Sequence, residues 1–323
     1  MKGWIKKLAV AGLGLSLLAT ATGCTNTESS PKELKEGDKM VIYSSLAPQA
    51  DFAKEIGKDH VEVHTMLPYG TNFLQWAPII AEQKKLEKAD MLIVNGSGVE
   101  DRWLDQTVAQ AKIENEYLAV VDATKDLQGE ALDLQFYRNP DVTDEVRNAK
   151  HVDPYFYMDP VYAKQEVDTI LAEMIKKAPV YKDEFTKNAD AYKARLDDLD
   201  KKYADTLSKV KSKVIVSNYP AWQYTAKRYG LEFHTLKNVD VNDIPQEGTD
   251  AEKATTEELK SYDTKVVFFQ EKAAPRVAEW LGTRGFMSGQ LENFEGQQPA
   301  ENYAGYIGMM EENLKKFEEG LNL

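Results

Sequence analysis

Apolar residues along this chain recur in short β-rich bursts separated by stretches of helical spacing. Residues 39–44 (KMVIYS), 61–67 (VEVHTML), 91–95 (MLIVN) and 118–121 (LAVV) read as strands in the first half. Between them, residues 51–56, 78–86 and 102–111 read as helices. The second half repeats the alternation, with strands at 213–217 (KVIVS), 231–236 (LEFHTL) and 265–269 (KVVFF). Helices are expected there at 221–229, 256–261 and 275–281, and a last one over 303–321. Near-continuous apolar strands alternating with helices predict an α/β fold, here two lobes with parallel-type sheets and a ligand cleft between them.

Residues 181–211 separate the halves and contain neither Gly nor Pro. Leu196, Leu199, Tyr203 and Leu207 recur at helical spacing while charges fill the other faces. A helix of that length spans roughly 45 Å, so it is expected to join the lobes as one long rigid helix rather than fold back as a hairpin. The expected organisation is therefore a lobe at 39–180, a linking helix at 181–211 and a lobe at 212–323.

The first 38 residues follow a different pattern. Lys2, Lys6 and Lys7 precede a short apolar run from Leu8 to Ala19 that ends in Ala21, Thr22 and Gly23. Twelve apolar residues are too few to span a bilayer, and the whole reads as an export signal over 1–23. Cys24 follows directly and resembles the lipidated cysteine of a bacterial lipobox, although Ala21 stands where Leu is commonest. Cleavage after Ala19-Thr20-Ala21 by an ordinary signal peptidase is the alternative, giving a freely secreted chain. With lipidation at Cys24, polar residues 24–38 form a tether and the body sits on the extracytoplasmic face of the cell membrane.

Composition narrows the chemistry. Of 323 residues, 42% are hydrophobic, enough for real cores, and the formal net charge of −13 disfavours nucleic acid as a partner. A single cysteine excludes a multi-thiolate site, and four histidines (His60, His64, His151, His234) exclude a His-rich one. No nucleophile elbow, phosphate-binding loop, dinucleotide fingerprint or zinc-hydrolase motif is present, so no enzyme activity is expected.

Ligands of open parallel sheets bind outside the carboxyl ends of the strands. The loops at 67–76, 153–160 and 217–222 are the candidates, and they concentrate Trp76, Tyr155, Tyr157, Tyr219 and Trp222. Any one of these aromatics is ordinary packing; their recurrence in loops around one cleft is what points to a site.

Several landmarks together resemble the solute-binding lipoproteins of bacterial zinc and manganese ABC importers, including those first described as adhesins. These are the strand and turn from Lys88 to Glu100 (KADMLIVNGSGVE) followed by Trp103-Leu104-Asp105, the segment from Ala226 to Leu231 (AKRYGL), and Met309-Met310 with Asn313-Leu314. The resemblance covers essentially the whole mature chain and implies two α/β lobes joined by one rigid helix. It implies an ABC importer permease as partner, a membrane lipid anchor, a small solute as cargo and a monomeric chain.

The metal ligands of that family do not carry over. Its first His position, in a G-x-D-P-H-x-Y-E-P-like loop, is occupied by Leu74; its second, in a D-P-H-x-W-x-D-P-like motif, by Tyr155 between Asp153-Pro154 and Asp159-Pro160. The third, before the second-lobe helix, is Tyr219, and the late acidic position maps to Glu292, with Glu295 possible. Segment 126–150, matching the His-rich loop of some zinc receptors, contains no His. Leu74 offers no donor, and a phenol with pKa near 10 is a poor ligand for a divalent ion at neutral pH.

The expectation is therefore a receptor binding through Trp76, Tyr155, Tyr219 and Glu292, with no metal and no cofactor, for a cationic or aromatic small molecule. Ferric ion, which can deprotonate phenols, is a further option. The alternatives are an ordinary zinc or manganese receptor with an atypical site, and an adhesion or scaffold lipoprotein with no small ligand.

Overall fold

The computed structural model describes residues 33–134, 151–296 and 303–323, all within one compact unit, Lys32–Leu323. The export signal, Cys24, the first part of the tether, and 135–150 of the segment matched to the His-rich loop lie outside the described residues. Among the described residues no helix is long and apolar enough to cross a membrane.

The strand runs of the first half assemble into one parallel sheet. It contains β1 (Met40–Ser44), β2 (Val61–Thr65), β3 (Met91–Val94) and β4 (Ala119–Asp122), in the order β2-β1-β3-β4. The second half builds β5 (Val214–Ser217), β6 (Glu232–Thr235), β7 (Val266–Phe269) and β8 (Met287–Gln290) in the equivalent order β6-β5-β7-β8, again parallel. β3, β5 and β7 are buried at every position, which is why their sequences read as unbroken apolar runs.

β8 is not among the expected strands, because Met287-Ser288-Gly289-Gln290 has neither alternation nor an apolar run. Pairing with β7 makes it a strand, and Gly289 lets it lie against Phe268, whose ring atom Cδ1 is 2.7 Å from where a Cβ would stand.

Helices cover the sheets. α1 (Ala47–Gly57) begins four residues before the expected start, with Pro48 in its first turn, where a missing N–H costs nothing. α2 (Ile80–Gln83) is one turn continued as a 3₁₀ stretch, Lys84–Lys88, and α3 is Leu104–Glu114. α4 (Pro160–Lys177) was not anticipated, although Ala163, Val167, Ile170 and Met174 line its buried face at helical spacing. In the second half α6 (Gln223–Tyr229) ends at Gly230, which takes the left-handed cap at φ 68°. α7 (Asp250–Ser261), α8 (Pro275–Gly282) and α9 (Gly305–Leu321) complete that half.

The linking element is α5 (Lys182–Leu207), 26 residues and thus about 39 Å long. Phe185, Ala189, Tyr192, Leu196, Leu199, Tyr203 and Leu207 form one buried stripe along it. Near its start, Asn188 Nδ2 donates to the Ile56 carbonyl of the first lobe at 3.0 Å. Near its end, the Tyr203 hydroxyl donates to the Met310 carbonyl at 2.7 Å and Asp200 accepts from Tyr229. A single apolar cluster follows this stripe from Phe52 and Ile56 through Leu196 to Phe268 and Phe317, so both lobes are packed on one helix.

A buried polar network fixes the first lobe beneath the cleft. Gln49 Nε2 donates to Glu166 Oε2 at 2.7 Å and to Asn95 Oδ1 at 3.1 Å, and Asn95 Nδ2 donates to the Pro154 carbonyl. It ties α1, the end of β3, α4 and the 153–160 loop together.

Burial pushes the Glu166 carboxyl up from 4.5 to about 8, so it is protonated in the fold at neutral pH. The folded value lies above the unfolded one, so the favourable contribution is complete below pH 4.5 and is lost as pH rises to about 8. Wild type is therefore expected to lose stability relative to Glu166→Gln across that window, by at most roughly 1.4 kcal/mol per pH unit. Urea denaturation of both proteins as a function of pH measures this. A difference that stays constant from pH 5 to pH 8, within roughly 0.5 kcal/mol, shows that Glu166 is not a buried protonated acid.

Candidate functional site

Three loops meet where the carboxyl ends of the two sheets face each other. The first is held by its acidic residues. Asp153 Oδ1 accepts from the Tyr155 N–H at 2.9 Å, and Asp159 caps α4 by accepting from Val161 N–H at 2.8 Å. Arg228 Nε of α6 donates to Asp159 Oδ2 at 2.6 Å, a contact from the second lobe to the first. The two Asp-Pro pairs thus set the pose of Tyr155, and Pro160 opens the helix behind it.

The second loop leaves β5 through Ser217, whose Oγ accepts from the Tyr219 N–H at 3.0 Å. The third follows β8 and carries Glu295, whose carbonyl accepts from the Ala47 N–H at the start of α1. Gly296 lets this loop approach the first lobe closely: a Cβ there would stand 2.6 Å from the Pro68 carbonyl oxygen.

These loops bring Tyr155, Tyr219 and Glu295 together. The Tyr155 hydroxyl is 2.7 Å and the Tyr219 hydroxyl 2.5 Å from Glu295 Oε1, and the two hydroxyls are 3.0 Å apart. Glu295 Oε2 accepts from the Phe73 N–H at 3.1 Å. Both carboxylate oxygens are therefore satisfied, by donors from both lobes, at a residue only 3% exposed. Burial raises the Glu295 carboxyl above the ordinary range, and the phenol hydrogen bonds oppose that rise. Burial, and then the negative charge of Glu295, push the Tyr155 and Tyr219 phenols well above 10.

Two cavities adjoin the cluster. The wider one, about 460 Å³, is bordered by Tyr219, Gln270, Glu271, Lys272, Glu292 and Glu295 among others. A smaller chamber of about 60 Å³ lies between Leu74, Asn218, Tyr219, Asp240 and Gln270.

Glu292 borders the wider cavity but is not in the hydrogen-bonded cluster; its N–H donates to Asn313 Oδ1, and Glu295 occupies the central place. Glu295, the other position the sequence leaves open for the late acid, is the one that meets the two phenols. Trp76 borders neither cavity: its ring packs edge-on against Trp103 with centroids 5.6 Å apart, and its carbonyl accepts from Arg102. Trp76 packs against both the main apolar cluster and the one that contains Trp103. Trp222 and Tyr157 are core residues, 1% and 0% exposed.

Histidine plays no part in either cavity. His60 stacks on Tyr181, His64 on Tyr43 and His234 on Tyr262, each with a glutamate alongside. Among the described residues no group of three or more His, Cys, Asp or Glu is placed to hold a metal ion.

The turn that follows β3 is structural. Glu100 accepts from Ser45 Oγ and from the Asn95 and Gly96 N–H groups, and Gly96 takes φ 85° beside Asp122, where a Cβ would lie 1.8 Å from Oδ1. Only glycine fits such a position.

Comparison with known proteins agrees with this architecture. The family model for ZnuA, the periplasmic zinc-uptake complex component A, matches residues 42–320. The chain is 28% identical over 309 residues to the high-affinity zinc uptake system protein ZnuA of Bacillus subtilis (strain 168), covering 94% of each. It is 26% identical over 329 residues to the manganese ABC transporter substrate-binding lipoprotein PsaA of Streptococcus pneumoniae, covering 98% of this chain and 100% of PsaA. The crystal structure of the Zn(II)-bound ZnuA-like domain of Streptococcus pneumoniae AdcA superposes with a TM-score of 0.73 at 25% identity, covering 88% of this chain and 100% of that one. With a matching family model over most of its length and two parallel sheets packed on one long helix, this chain belongs to the ZnuA family of ABC-importer solute-binding proteins, which are not enzymes.

Proposed function

We propose that this chain is the extracytoplasmic receptor of a zinc- or manganese-class ABC importer. It takes its cargo between a lobe at 39–180 and a lobe at 212–323, hinged on the helix at 181–211, and passes it to the importer's permease. Cys24 carries the lipid anchor, and residues 25–38 give the body its reach above the membrane. The cargo is a metal ion taken at an atypical, oxygen-donor site.

One observation carries this reading. Tyr155, Tyr219 and an acid occupy three positions that the family resemblance marks as metal-ligating, and their oxygens lie within 3.0 Å of one another. Leu74, at the remaining position, borders the small chamber beside Tyr219. Relatives named for zinc and for manganese support a metal as cargo.

In the fold the two phenol protons stand on Glu295 where a cation would stand. A metal must therefore displace them, and its affinity rises with pH because both phenols titrate above 10. Dialysis against Zn²⁺ or Mn²⁺ is expected to leave one ion per chain, more completely at pH 9 than at pH 6. A tyrosinate absorbance change should accompany binding, and Glu295→Gln should abolish it. Elemental analysis and ultraviolet difference spectra measure both. Protein that retains neither ion at any pH overturns the metal reading.

A second reading has its own observation. Glu295 already has three donors and Leu74 has none to give, so the cluster is complete without a metal. On this reading the phenols hold the lobes together and a cationic organic solute lies in the adjoining cavities. In either case Tyr219→Phe removes one donor from a buried carboxylate, and a loss of roughly 1–3 kcal/mol in unfolding free energy is expected. Urea denaturation checks this; an unchanged midpoint would mean that the cluster does not link the lobes.

A further inference from the structure

Asn313 lies on the buried face of α9 with Met309, Met310 and Leu314, outside the phenol–carboxylate cluster. Asparagine is a poorer helix former than leucine, and burying its amide costs free energy unless both ends are matched. Asn313 is 1% exposed, and one residue matches both ends. Its Oδ1 accepts from the Glu292 N–H at 2.8 Å, and its Nδ2 donates to the Glu292 carbonyl at 2.7 Å. Two facing residues of an antiparallel ladder bond in this pattern. A helix side chain thus takes the place of a strand just after β8, one residue beyond the Leu291 N–H that donates to the Phe269 carbonyl.

Glu292 stands three residues before Glu295, a stretch of chain that reaches at most about 10 Å. The path between them is held at each step. The Asn293 carbonyl accepts from the Tyr157 hydroxyl at 3.0 Å. Phe294 packs on Tyr306 of α9 with ring centroids 5.9 Å apart and holds φ 59°. An aromatic residue keeps such a backbone only where its surroundings impose it. The Glu295 carbonyl then accepts from the Ala47 N–H at 3.0 Å. The phenol contacts beyond it, 2.7 and 2.5 Å, have little slack: a shift of about 1 Å takes them out of the strong range.

We propose that Asn313 is a positioning residue: by clamping the chain at Glu292 it holds Glu295 on the Tyr155 and Tyr219 hydroxyls, and so sets how tightly cargo is held. The inference rests on the reading of those three residues as the cargo site.

The test compares the purified mature protein with Asn313→Leu, which loses both bonds, and Asn313→Asp, which keeps only the acceptor for the Glu292 N–H. Phe317→Leu, which loosens α9 where it packs on Phe268, is the control. Equilibrium dialysis against Zn²⁺ or Mn²⁺ at pH 9 should show binding weakened roughly 10-fold or more by Asn313→Leu and less by Asn313→Asp. The tyrosinate absorbance change should shrink in step, and Phe317→Leu should bind as wild type does. Urea midpoints give a readout that a mere brace for the loop does not move. Asn313→Leu combined with Tyr219→Phe should shift the midpoint by less than the sum of the single shifts, because the first already breaks the contact that the second removes. Phe317→Leu and Tyr219→Phe should add in full. If Asn313→Leu does not fold, Asn313→Asp carries both measurements. Additive shifts for the Asn313 pair, or ion binding within about 2-fold of wild type in the Asn313 variants, overturn the inference and leave the metal reading standing. Wild type that binds neither ion overturns the metal reading, and the urea midpoints then decide alone whether Asn313 places Glu295.

Discussion

A buried carboxylate must be matched, and in this protein no single lobe can match Glu295. Its two oxygens accept from Tyr155 and the Phe73 backbone on one side of the cleft and from Tyr219 on the other. Breaking any of these contacts leaves charge or dipole in a dry interior, which costs far more than the bond contributes when intact. Glu295 is therefore one of the points that join the lobes, beside the Arg228–Asp159 pair and the stripe of α5. Gly296, next in the chain, removes the side chain that would keep the loops apart.

Around this point the fold divides its labour. The two sheets share one strand order, and loops after β5 and β8 bring Tyr219 and Glu295 to Tyr155 of the first lobe. α5 carries both lobes on a continuous apolar stripe, so their relative placement is set by packing along a single stiff element. The acidic residues that give the chain its family likeness serve mostly as scaffolding. Glu100 closes the turn after β3, Asp153 poses Tyr155, and Asp159 both caps α4 and receives Arg228 from the other lobe. These roles explain how the frame persists around positions whose own chemistry differs.

That separation bears on the proposed function. If frame and donor set are physically distinct, the donor set can change without collapse of the architecture that a permease recognises. The phenol–carboxylate cluster is where the proposed function places the cargo.

Periodicity was enough for most of the architecture. Seven strands, the linking helix and the doubled α/β plan are readable because burial on both faces leaves unbroken apolar runs and burial on one face leaves a helical stripe. The stripe of α4 is equally legible in the sequence, whereas β8 has no signal, being held by its neighbour rather than by its own residues. Tyr155 and Tyr219 stood out in sequence because recognisable frames surround them. The place of Glu295 in the hydrogen-bonded cluster and the edge-on packing of Trp76 against Trp103 belonged to tertiary structure alone. Each depends on which atoms from distant segments arrive at one place, and local spacing carries no information about that.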